Sequence, residues 1–135
     1  DYAETFNVTA YANSTVMGTE QVSLNATDQT TLTFTWNTTG FAYGNYTLSR
    51  YAGPVPGETD TADNNFTGGV VTVTIPGDVN GDFKVTNTSL MTLISSYGSK
   101  PSDSNWNPNA DINGDGRVSL QDLVILATHY GEHYQ

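Results

Sequence analysis

The sequence predicts a mainly β fold with a small α part: a β-sandwich over residues 1–76, followed by a pair of loop–helix units over 77–135. Two observations predict it. Apolar residues recur at every second position as far as Ile75, the period of strands with one buried face. After Ile75 they recur at helical spacing, and each helical run directly follows an acidic loop that contains glycine.

In the first region Phe6, Val8 and Ala10 alternate with Thr5, Asn7 and Thr9. Leu32, Phe34 and Trp36 alternate with Thr31, Thr33 and Thr35, and Val71, Val73 and Ile75 close the region. Turn signals at Met17-Gly18, Gly40, Gly44 and the loop from Gly53 to Asn64 separate the runs, so antiparallel strands are expected. A sheet edge near Tyr2 to Phe6 is left open to accept or donate a strand. In the second region Leu90, Leu93, Ile94 and Tyr97 form one helical stripe, and Leu120, Leu123, Val124 and Ala127 another. The two stripes are expected to pack against each other.

Composition narrows the function classes. Fourteen acidic residues against 4 basic give a net charge of -10, which disfavours nucleic acid and suits cations. With no cysteine, disulfides cannot staple two small domains, which leaves metal. No apolar run approaches the roughly 20 residues that a membrane-spanning helix needs. The first residues lack the basic and apolar parts of a signal peptide, so a secreted chain is expected here in mature form. Seven N-x-[ST] triplets begin at Asn7, Asn13, Asn25, Asn37, Asn45, Asn65 and Asn87. Chance placement of the Asn, Ser and Thr present would give about three, so N-glycosylation and an extracellular or cell-surface location are expected.

Calcium takes six to eight oxygen ligands, and an EF-hand-type loop supplies them from its first, third, fifth, seventh, ninth and twelfth positions. The loop from Asp111 to Asp122 fills these slots with Asp111, Asn113, Asp115, the Arg117 carbonyl, a water held by Ser119, and Asp122; Gly116 permits the sharp turn. The loop from Asp78 to Ser89 keeps Asp78, Asn80, Asp82 and the Lys84 carbonyl. It places Phe83 at the glycine position and Ser89 where a carboxylate is usual. With two side-chain charges against three, it is expected to bind calcium more weakly.

The doubled loop–helix unit, with Trp106-Asn-Pro-Asn-Ala-Asp-Ile-Asn-Gly-Asp-Gly116 leading into the second loop, resembles a type I dockerin. The region before it, through Tyr43-Gly-Asn-Tyr-Thr-Leu48 and the loop Val55 to Asn64, resembles the cell-adhesion-related (CARDB-type) immunoglobulin-like domains of archaeal and bacterial surface proteins. The resemblance implies an immunoglobulin-like β-sandwich, calcium-dependent folding and docking onto a cohesin domain. Dockerin recognition uses the tenth and eleventh loop positions, which here are Asn87 and Thr88, and Leu120 and Gln121. These differ from the Ser-Thr pairs of cellulosomal members, and a glycan on Asn87 would cover half of the expected cohesin face.

Other features carry less chemistry. Glu58, Asp60, Asp63 and Asn64 read as an acidic surface loop rather than a third cation site, and His129 with His133 lack a further zinc ligand. Trp36 and Trp106 fall at core positions. No acid–base pair or nucleophilic triad stands out, so a non-catalytic role is expected. The expected role is that of a structural or adhesion protein assembling head to tail with copies of itself into a surface filament. The alternatives are a dockerin that attaches its β domain to a cohesin scaffold, and an appendage of a secreted hydrolase.

Overall fold

A computed structural model of the chain describes residues 2–135. Strands β1 (Glu4–Ala12), β2 (Thr15–Leu24), β3 (Gly44–Ala52) and β4 (Asn65–Val73) form one antiparallel sheet in the order β2-β1-β3-β4. Helices α1 (Asn87–Ser95) and α2 (Leu120–Thr128) follow. The chain divides into two compact units, one reaching to Phe41 and including Asn45–Val71, the other comprising Ala42–Gly44 and Thr72–Gln135.

In the first unit, β1 and β2 make a hairpin whose tip is Asn13-Ser14. Asn13 takes a φ of 52°, a left-handed conformation that asparagine tolerates better than most residues. Its Oδ1 accepts from Thr47 N at 2.9 Å and its own N–H donates to Thr47 O at 2.8 Å, which ties the tip to β3. Ala10 lies opposite Gly18 but Tyr11 opposite Val16, so Met17 forms a bulge.

The immunoglobulin-like β-sandwich expected over residues 1–76 is not what forms. Among the described residues a single four-stranded sheet is present, and the Thr31–Trp36 run joins no strand ladder. Its alternation survives only as burial: Leu32, Phe34 and Trp36 are half-buried, while Thr31, Thr33 and Thr35 are exposed. Phe34 lies over Gly18, where an added Cβ would come within 3.0 Å of its ring. Trp36 packs edge-on against Phe41 and Tyr46, with centroids 5.1 and 5.2 Å away. A period of two reports which side chains turn inward, not whether the backbone finds a partner, so a covering segment and a strand read alike. The edge strands of the sheet are β2 and β4, but β1 pairs with β3 only over Val8–Ala12, so Glu4–Phe6 pair with β2 alone and have no strand partner on their other side, where the open edge is expected.

The second unit is built on a repeat. Residues 33 positions apart, as Asp78 is from Asp111, occupy matching places: Val85 and Val118, Ser89 and Asp122, and Leu93 and Leu126 are all buried. Each half completes the other. Val118 exchanges backbone bonds with Gly98 and Ser99 (2.8 and 3.0 Å), and Val85 does so with Gly131 and Glu132 (2.8 and 2.9 Å). Ile75, Val79, Val85, Leu93, Ala110, Val118 and Leu126 make the core, flanked by Leu90, Trp106, Ile112 and Leu123.

The helical stripes lie differently from the expectation. Leu90, Leu93 and Leu123 do turn inward, but Ile94, Tyr97, Leu120, Val124 and Ala127 are exposed, and Leu126 fills the core of the second half. The cause lies one turn earlier. Asp122 is drawn into its loop, and the residue four positions on shares its face. Gly77, at φ 97°, admits this packing: a Cβ there would sit 2.8 Å from the Leu126 Cα.

Candidate metal centre

Both loops begin with an aspartate that gathers the amides of the following turn. Asp78, only 6% exposed, accepts from Gly81 N (2.9 Å), Asp82 N (3.2 Å), Phe83 N (2.8 Å) and Thr74 Oγ1 (2.6 Å). Asp111 accepts from Asp115 N (3.1 Å) and Gly116 N (2.9 Å). The turn needs a left-handed residue at the sixth position, where Gly116 has φ 84° and Phe83 has φ 62°. A side chain in that conformation costs roughly 1–2 kcal/mol. Phe83 is held there by Asp78 and by Tyr134, whose N–H donates to Phe83 O at 2.9 Å.

The loops end differently. Asp122, fully buried, accepts from Ile112 N (2.8 Å) and Asn113 N (3.1 Å) at one oxygen and from Ser119 N (2.8 Å) and Ser119 Oγ (3.1 Å) at the other. It thus belts the loop to the first turn of α2, whose N-cap is Ser119. Burial pushes the Asp122 carboxyl up, but these hydrogen bonds outweigh it and hold the group below the usual carboxylate range. Its ionised form therefore stabilises the fold, a contribution fully present above the unfolded-state pKa and lost as pH falls through the folded one. Ser89 accepts from Thr86 N (3.3 Å) as Asp122 does from Ser119 N, but it also carries a proton: its Oγ lies 3.0 Å from Asn80 Oδ1 and 3.1 Å from the Lys84 carbonyl, two of the expected ligand oxygens. Thr86 caps α1 as Ser119 caps α2.

The donor chemistry fits a hard cation. The expected ligands are all oxygens, which suits calcium and not zinc. Among the described residues the buried carboxylates of Asp78 and Asp122 have no basic partner, and neutral donors alone hold them, so a positive ion would complete their environment. The carboxylates are not gathered at one point: among the described residues no group of three or more carboxylate or histidine side chains is close enough to hold an ion by itself. Asn113 Nδ2 donates to Asp115 Oδ2 (3.0 Å), Arg117 N to Asp115 Oδ1 (3.0 Å) and Lys84 N to Asp82 Oδ1 (3.1 Å), so each loop closes through its own amides.

Elsewhere, Glu58 Oε2 accepts from Val55 N and Asn64 Nδ2, and Asp60 from Ala62 N, which makes these acids turn staples. His129 Nδ1 lies 3.1 Å from Glu132. All seven sequon asparagines are exposed. The Asn25 amide nitrogen donates to Asp28, Asn13 Oδ1 is taken by Thr47 N and Asn37 Oδ1 by Thr39 N. Among the described residues no helix is long and apolar enough to cross a membrane. The roles of Ser89 as donor and Leu126 as core were missed in the sequence, although aligning the halves 33 residues apart sets each beside its counterpart.

Residues 76–129 match the dockerin type I domain family. Among solved structures, the chain is similar to a type II cohesin-dockerin domain from Bacteroides cellolosolvens, at 32% identity over 47% of this chain and 95% of that one, with a TM-score of 0.40. It is also similar to the N-terminal and C-terminal interface mutants of a type II cohesin-X-dockerin complex from Acetivibrio cellulolyticus. Each is 16% identical over 95% of this chain and 83% of that one, with TM-scores of 0.38 and 0.39. No curated protein matches the chain in sequence.

Proposed function

With a dockerin type I domain over residues 76–129 as the premise, we propose that this chain is a calcium-organised docking module that attaches its β unit to a cohesin-like partner. The family match carries the reading. In it residues 1–76 are the attached domain and residues 77–135 the attaching one, a non-catalytic part.

Type I dockerins generally bind calcium. Here Asp111, Asn113, Asp115, the Arg117 carbonyl and Asp122 would hold one ion. Asp78, Asn80, Asp82, the Lys84 carbonyl and Ser89 would hold a second more weakly. A bound ion offsets the repulsion among the loop carboxylates and adds its binding free energy to folding. The docking face lies at the starts of the two helices, where Asn87, Thr88, Leu120 and Gln121 are all exposed. Leu120 and Val124 on α2, with Met91 on α1, give that face its apolar surface. An extracellular setting with N-glycans on the exposed sequon asparagines goes with this reading, and a sugar on Asn87 would restrict docking to the α2 end.

The test is capture of the full, unglycosylated chain on immobilised type I and type II cohesin modules, with calcium and then with chelator. Retention in calcium that is lost on chelation is expected. No retention on either type in calcium rejects the docking reading, and retention that survives chelation rejects its calcium dependence.

A further inference from the structure

We infer that β4 is a self-pairing edge, through which two copies of this chain join their sheets across a two-fold axis at Gly69. The sheet has two edge strands, and they are built differently. β2 bulges at Met17 and carries Glu20, both devices that discourage the addition of a strand. β4 reads Asn-Phe-Thr-Gly-Gly-Val-Val-Thr-Val, with no charged residue and no proline, and its one sequon, Asn65, lies at the strand end, opposite Val73 and four residues from the axis. Every residue from Asn65 to Val71 is exposed, Phe66 at 49% and Val70 at 60%. An edge strand presents a row of backbone donors and acceptors on its outer side, and another strand is the partner that matches such a row.

Charge identifies the occupant as a second copy. At a net charge of -10, most ways of bringing two copies together oppose carboxylates to carboxylates. β4 is a stretch where they do not. Antiparallel pairing about Gly69 sets Thr67 opposite Val71 and Gly68 opposite Val70, all neutral, with Gly69 facing its own copy. A Cβ at Gly69 would meet nothing within 4 Å, so the axis is clear of side chains. Because both copies use the same strand, the contact is isologous and closes as a dimer with one continuous sheet, rather than propagating as a fibre.

Sedimentation velocity of the full chain in calcium, from low to high micromolar concentration, is expected to show a concentration-dependent dimer. Gly69→Asp and Gly69→Lys each place like charges face to face on the axis and weaken the dimer at least ~5-fold. An equal mixture of the two variants restores it as a heterodimer, while Val16→Lys on β2 leaves it unchanged. Circular dichroism of each variant checks that the exposed substitution leaves the fold intact. A chain that stays monomeric throughout, a dimer indifferent to charge at Gly69, or a mixture that fails to recover each overturns the proposal.

Discussion

The two acidic loops share a scaffold and close it with opposite chemistry. In the first, the single Ser89 hydroxyl proton is shared between Asn80 Oδ1 and the Lys84 carbonyl, so two of the expected ligand oxygens have a neutral donor beside them. In the second, Asp122 accepts from three backbone amides and one hydroxyl, and adds a third carboxylate to those of Asp111 and Asp115. One loop is closed by a side chain that carries a proton, and the other by a third carboxylate whose charge a bound cation would neutralise. Equivalent positions in a repeat thus diverge without any change in backbone course, since the sixth residue is left-handed in both.

The strongest way to break this comparison is to remove both closing residues in turn. Asp122→Ala strands the amides of Ile112, Asn113 and Ser119 and is expected to lower stability by about 3 kcal/mol or more, while Ser89→Ala costs about 1 kcal/mol. Denaturant unfolding in calcium measures both, and equal losses would erase the distinction. A smaller effect sharpens it. Ser89→Asp gives the first loop the charge of the second, and its calcium affinity is expected to rise about tenfold in calorimetric titration. An unchanged affinity would mean that the closing residue does not limit the first loop. The smallest effect is a control in which the halves behave alike: Thr86→Ala and Ser119→Ala remove equivalent caps and each cost about 1 kcal/mol. A marked inequality between them would show that the loops differ beyond their closing residues.

The turns of the loops were legible in the sequence, since each opens on an aspartate that binds the amide of the sixth residue and needs glycine or a tolerant substitute there. The capping pattern at Thr86 and Ser119, three residues before Ser89 and Asp122, was equally open to reading. The β region was less so. Alternation at Leu32, Phe34 and Trp36 shows correctly which side chains turn inward, yet hydrogen-bond partners are a property of distant segments that no local pattern encodes. The α2 stripe misled for a related reason. Leu120 and Val124 have the spacing of a buried face, but the helix is rotated by the demand that Asp122 point into its loop, and a polar residue on the inner face is invisible to a count of apolar ones.

The crossed stitching of the second unit, in which Val85 bonds to Gly131 and Glu132 while Val118 bonds to Gly98 and Ser99, also imposes an order on synthesis. The partners of Val118 precede it, so the second loop can be stitched as soon as it is made. Those of Val85 lie near residue 132, and a chain emerging from the ribosome must hold its first loop open until nearly the whole domain has been translated. The first loop to be made is the last to be finished, and its closure joins residues 46 and 47 positions apart, where the second loop joins residues about 20 apart, so the entropic cost of closing it is the larger of the two.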